Sequence, residues 1–240
     1  MEVLMNRVAN IDVSENTLKQ IVNGIVNGLG VAEQDFYSHS RNYANFVGQS
    51  NLNYIFDAID KETSDCKIYK REWGSFGYEF PLIHDIKSKS IIVIASKYRI
   101  EGIIKLLQRN EHVSSFIYCL AALNSGYEGD CQQLEMNFDD SLDDNRKNKC
   151  DTLLNNIADV DKFILIEYDI RHRSFQLINA KATLYSCNFV HLGSKNLSMF
   201  IDADYSLKQG ISNDERLEEK EKLSNIKEQV SNLAIKLKNT

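Results

Sequence analysis

Between residues 67 and 96 the chain sets out three runs of alternating hydrophobicity: Lys67–Arg71, Phe76–Leu82 and Ser90–Ser96. The connections between them are only a few residues long. Strands this close pair antiparallel, because a parallel return needs a dozen or more residues. The stretch therefore predicts a three-stranded meander. Gly74 and Ser75 suit its first turn, and His84–Lys89 its second. Pro81, the chain's single proline, cannot donate to a ladder and is expected near a strand end or on a sheet edge.

Helical spacing surrounds the meander. Leu18, Ile21, Val22, Ile25, Val26 and Leu29 recur every three or four residues. Asp12 and Glu15 are spaced as a capping box, and Gly30 can close the helix. Gly24 and Gly28 weaken it by about 1 kcal/mol each relative to alanine. A second helix is expected from Ser50, with Leu52, Ile55, Phe56 and Ile59 on one face. After the meander, Ile100, Ile103, Ile104 and Leu107 mark one helix, and Phe116, Ile117, Leu120 and Leu123 the next. Residues 126–146 turn acidic and lose their period, as a flexible loop does; a short helix is expected over Asp151–Ile157. Phe163–Ile170 and Phe175–Tyr185 read as a hairpin turning at His172, with a further strand around Asn188–Leu192. Helices grouped with runs of antiparallel strands define an α+β fold with one or more antiparallel sheets.

We place one domain over residues 1–211. Over 212–240, Leu223, Ile226, Val230, Leu233 and Leu237 step by three and four, with Glu and Lys between them. That is a heptad-patterned helix, suited to self-association or to a partner helix.

Composition narrows the function classes. At 240 residues, 43% hydrophobic and 26% charged, the chain has the makings of a buried core. A formal charge of −6 argues against duplex nucleic acid as the main partner, because phosphate contacts require a basic surface. No run reaches the roughly 18 apolar residues that cross a bilayer. Met1–Asn10 holds one Arg and no long apolar run, so no signal peptide is expected. Five scattered cysteines are an odd set and read as reduced thiols in the cytoplasm. Asn, Lys and Ile are abundant, as in AT-rich bacterial or phage genomes.

No phosphate-binding glycine loop, Cys-x-x-Cys, His-Glu-x-x-His or Gly-x-Ser-x-Gly motif is present. The five histidines stand apart, and no metal or cofactor is expected. Asp139, Ser141, Asp143 and Asn145 alternate like calcium ligands but lack the turn glycine and the distal glutamate, so the segment reads as a solvated acidic surface. Three other sets carry possible chemistry. Lys97, Tyr98 and Arg99, with Trp73 nearby, put basic groups beside aromatics, where a partner or single-stranded nucleic acid can bind. Glu167, Asp169 and Lys181, with Asn179, resemble the strand-borne metal site of restriction-type nucleases. A hairpin turning at His172–Arg173 counts against it, since it sets Ile166 opposite Asn179 and Ile164 opposite Lys181, leaving Asp169 out of register. Glu79, Asp85 and Lys87 form a second nuclease-like set, more simply read as exposed turn charges.

Several segments together resemble an uncharacterised family of small bacterial proteins, found mostly in low-GC Gram-positive bacteria. They are the opening helix Ile11–Gly30, Lys70-Arg71-Glu72-Trp73, Ser96-Lys97-Tyr98-Arg99, Tyr118-Cys119-Leu120-Ala121-Ala122-Leu123-Asn124 and Ile164-Leu165-Ile166-Glu167-Tyr168-Asp169. The resemblance covers roughly residues 11–202. It implies a single α+β unit and brings no activity. The expectation is a non-enzymatic binding or regulatory protein acting through protein partners or self-association, in a setting such as bacterium–phage conflict. The alternatives are a divergent metal-dependent nuclease and a single-strand nucleic-acid binder.

Overall fold

A computed structural model describes residues 10–38, 47–75, 77–125, 127, 140–171 and 174–201. Helices α1 (Glu15–Ser38) and α2 (Val47–Glu62) come first. Strands β1 (Lys67–Trp73), β2 (Tyr78–Asp85) and β3 (Ser90–Ser96) follow. Then come α3 (Lys97–Gln108), the short α4 (Phe116–Leu120) with a 3-10 turn at Ala121–Asn124, and α5 (Asp140–Leu153). Strands β4 (Lys162–Ile170), β5 (Leu177–Tyr185) and β6 (His191–Asn196) lead to a 3-10 turn at Ser198–Phe200. The chain divides into two units, Met1–Ile201 and Asp202–Thr240. The second unit lies outside the described residues, and with it the expected heptad stripe.

All six strands form one sheet in chain order, β1-β2-β3-β4-β5-β6. The meander forms as its short turns require. The α+β class holds, with one difference: β3 and β4 are parallel, while every other neighbouring pair is antiparallel. The stretch carrying α3, α4 and α5 is long enough to be the crossover that a parallel pair needs.

Strand parity gives the sheet two buried faces. Phe80, Leu82, Ile91, Val93, Phe163 and Leu165 form one core with Ile100, Ile103, Phe116, Ile117, Leu120 and Leu153 from α3, α4 and α5. The alternating residues Ile83, Ile92, Ile94, Ile164, Ile166, Ala182 and Leu184 are also buried. They lie on the opposite face, which is left to the α1–α2 pair, and α1 packs on β5. Burial on both faces explains the unbroken apolar runs Ile91–Ala95 and Phe163–Ile166.

Local details depart from expectation for physical reasons. Ser14, not Asp12, caps α1: its Oγ accepts the Thr17 N–H at 3.0 Å. Asp12 instead pairs with Lys162. The helix runs past Gly30 to Ser38. Gly24 and Gly28 lose helix propensity but let α2 approach. A Cβ on Gly28 would lie 2.5 Å from Ile55 Cα, and one on Gly24 2.8 Å from Ile59 Cα. Pro81 lies in an interior strand, opposite Lys70, where the ladder to β3 has already ended; that ladder covers only Ile83–Asp85. Helix α5 begins at Asp140 rather than Asp151, so Ser141, Asp143 and Asn145 are helical and do not alternate around a calcium loop.

Cys119 and Cys150 are buried where α4 packs on α5. Burial raises both thiols, Cys150 from 9.0 to about 12, with Asp151 adding to the effect. Burial and then the Asp85 charge push Cys66 up to about 11. The unfolded chain therefore loses these protons at lower pH than the folded one. Stability that is intact below pH 9 should fall as pH climbs toward 12. The urea midpoint is expected to drop between about pH 9 and pH 12, and to drop less steeply in Cys150→Ala. A midpoint that stays flat over this range in the wild type would contradict the burial of these thiols.

Candidate functional site

The antiparallel β4–β5 pair is registered differently from the hairpin expected above. Its connection spans Arg171–Gln176 and is closed by Arg171 N–H donating to Gln176 O at 2.9 Å. Glu167 faces Lys181 and Asp169 faces Asn179, with a register shift at Asp169/Ile170. The change is three residues, an odd number, so it also exchanges the faces. Glu167, Asp169, Asn179 and Lys181 therefore share one face of the sheet, which corrects the register objection.

These four residues, with Lys97 and Tyr168, line a small depression with about 20 Å³ of free space, room for one water-sized group. It lies at the carboxyl ends of the parallel strands β3 and β4, where α3 begins at Lys97. Carboxyl ends of parallel strands are the usual ligand position in open sheets with crossovers. Ser96 provides no side-chain cap to α3, and no acidic residue stands in its first turn.

Each carboxylate has a cation. Glu167 is 4% exposed. Its Oε2 lies 3.2 Å from Lys181 Nζ, and its Oε1 accepts the Tyr185 hydroxyl at 2.9 Å. Tyr185 stacks on Phe189 at 4.4 Å between centroids. Burial, and then the neighbouring Glu167, raise its hydroxyl well above the ordinary value, so it donates and does not ionise. Lys181, Glu167 and Tyr185 thus form a fixed chain from the cleft into the core. The second pair is looser. Lys97 Nζ lies 3.5 Å from Asp169 Oδ2, and the Lys97 side chain is 53% exposed. Asn179 Oδ1 accepts the Ser198 hydroxyl at 2.9 Å. Among the described residues, no group of three or more His, Cys, Asp and Glu converges to hold a metal ion.

The basic and aromatic set does not come together as one patch. Lys97 turns toward Asp169. The Arg99 guanidinium lies 4.7 Å from the Phe116 ring centroid and 5.0 Å from that of Tyr78. Trp73 also meets Phe116, edge-on at 6.3 Å between centroids. Arg99 and Trp73 therefore close the aromatic end of a core, while Tyr98 projects into solvent, 68% exposed. Glu79, Asp85 and Lys87 are not assembled either. Glu79 pairs with Lys70 at 2.7 Å at one end of β2. Asp85, buried at the other end, accepts the Ser88 hydroxyl at 2.6 Å and secures the turn.

Residues without a motif complete the frame. Buried Asn124 bridges β4 and β5: its Nδ2 donates to Phe163 O at 2.9 Å and Tyr185 O at 2.6 Å, and its Oδ1 accepts Phe163 N–H at 2.8 Å. Arg71 donates to Leu153 O and Asn155 O, each at 2.7 Å, closing the end of α5. Arg146 lies 4.1 Å over the Tyr118 ring.

Fold and cleft define an α+β protein with a mixed six-stranded sheet and a charge-paired cleft at the ends of its parallel strands. The chain belongs to a family of unknown function, DUF5986, whose model matches residues 10–240. The match runs on through the C-terminal segment, which the resemblance drawn from the sequence left out. No curated protein and no solved structure matches significantly. No helix among the described residues is long and apolar enough to cross a membrane.

Proposed function

We propose that this is a non-enzymatic binding or regulatory protein that acts through protein–protein contacts, with the cleft rim at Lys97 and Tyr98 as a docking point. The observation that carries this reading is the pairing pattern. Glu167 is saturated by Lys181 and Tyr185, whereas Lys97 is half exposed, loosely held by Asp169, and beside an exposed tyrosine. Exposed tyrosines anchor many interfaces, and a nearby lysine adds charge complementarity to an acidic partner. An acidic side chain of a partner can take the place of Asp169 on Lys97. The C-terminal stripe Leu223, Ile226, Val230, Leu233 and Leu237 supplies a second contact in this reading. The test is a pull-down of the tagged full chain from its native or phage-infected host. A stoichiometric protein partner is expected with the wild type and lost with Lys97→Glu and Tyr98→Ala. Retention by both variants would remove the cleft from the interface.

The corrected register supports a second reading, a divergent metal-dependent nuclease built on Glu167, Asp169 and Lys181. It gathers on one face the two carboxylates, the lysine and the Asn179 amide, and oxygen donors of this kind suit magnesium or manganese. Cleavage of nucleic acid that requires either ion and disappears in Asp169→Ala would favour it over the binding role.

A further inference from the structure

The two edges of the sheet differ. β1 carries Lys67, Lys70, Arg71 and Glu72. A twofold antiparallel pairing over its full length, centred on Lys70, sets that lysine against its own copy. Such charges guard an edge against association. β6 reads His191-Leu192-Gly193-Ser194-Lys195-Asn196, with Lys195 as its one Lys or Arg. Among the described residues it pairs with β5 and no other strand.

The ladder fixes which of its backbone groups face outward. Leu197 N–H donates to Ala180 O at 2.9 Å, so Leu197 points toward β5. Alternation turns Lys195 and Gly193 the same way and leaves Ser194 and Asn196 pointing out. A second antiparallel strand must therefore set outward residues against outward residues.

We infer that the outer edge of β6 pairs with β6 of a second copy of this chain, about a twofold axis at Ser194. That register places Ser194 opposite Ser194 and Gly193 opposite Lys195, with Leu192, at the register shift of the β5–β6 ladder, near Asn196. No like charges meet. Each lysine stem crosses a glycine where a Cβ would meet nothing within 4 Å. The axis also brings the Val190 end of one strand beside the Met199 end of the other, and these flanking hydrophobics are 36% and 71% exposed. Among the described residues no strand pairs with this outer row of donors and acceptors, and such a row is a template for this kind of pairing. The pairing does not depend on the cleft or on the function proposed for it.

The test is the mass of the full chain in solution by light scattering across a concentration series. Wild type is expected to dimerise. Ser194→Asp and Ser194→Lys each set like charges against themselves at the axis and should weaken the dimer by about tenfold or more. An equimolar mixture of the two should restore it, which a misfolded variant could not do. A wild type that stays monomeric at every concentration, or a dimer indifferent to both variants, overturns the proposal. So does a dimer lost only with Ile226→Asp together with Leu233→Asp, since that assigns association to the C-terminal stripe.

Discussion

Replacing Asn124 with leucine is expected to cost about 3–6 kcal/mol, a large part of the stability of an ordinary domain. The side chain is fully buried and makes three hydrogen bonds to the backbone of β4 and β5. Leucine has the same branched outline and is larger, so the change leaves no cavity and adds some crowding. What it removes is the acceptor for Phe163 N–H and the donor to Phe163 C=O and Tyr185 C=O, and each buried group left unsatisfied costs about 1–3 kcal/mol. Asn124→Asp separates this account from one of shape. Its carboxylate still accepts from Phe163 N–H but faces two carbonyl oxygens with no proton to offer. It should therefore be about as damaging as leucine at neutral pH. Urea unfolding followed by circular dichroism measures both. A loss under about 1 kcal/mol for either variant would mean that water or a rearranged strand satisfies these groups.

Asn124 also shows where sequence reading reaches its limit. It ends the segment Tyr118-Cys119-Leu120-Ala121-Ala122-Leu123-Asn124, where it looks like a polar residue leaving a helix. Its partners lie 39 and 61 residues away, and no local pattern encodes them. The longer elements were legible because they rest on a local period, as α1 does, or on an apolar run between turn residues, as β3 does; the short helix expected over Asp151–Ile157 is instead α5 at Asp140–Leu153, and the strand expected around Asn188–Leu192 is β6 at His191–Asn196. Ser90–Ser96 appears with the bounds that its flanking serines give to an apolar run. The parallel β3–β4 pair was not legible, because nothing local distinguishes a strand that returns beside its crossover from one that starts a new hairpin. The cleft was half legible. Glu167, Asp169 and Lys181 do line one depression, but their relation hung on the length of one turn. Arg99 reads as one of a basic set beside aromatics, and Arg71 only as part of Lys70-Arg71-Glu72-Trp73. Their long stems let the guanidinium reach a helix end or an aromatic ring, and that choice is made by tertiary packing.

The two lysines of the cleft should respond very differently to the same substitution. Lys181→Met is expected to destabilise the protein by about 3 kcal/mol, because it leaves the Glu167 carboxylate buried without its cation. The estimate sits at the low end for a buried pair, since the Lys181 side chain is itself 39% exposed and water can partly replace it. Lys97→Met should cost less than about 1 kcal/mol, as exposed pairs do. Adding Glu167→Gln to Lys181→Met removes the stranded charge while the amide oxygen still accepts the Tyr185 hydroxyl. The double variant should recover at least half of the loss, a coupling read directly from a double-mutant cycle of urea midpoints. Equal costs at the two lysines, or additive costs at positions 167 and 181, would show that burial does not govern the cleft's charges. The expected asymmetry has a functional consequence. In the binding role proposed above, Glu167, Lys181 and Tyr185 would be the fixed floor, and Lys97 the cation that an incoming group could take from Asp169 without loss of the fold.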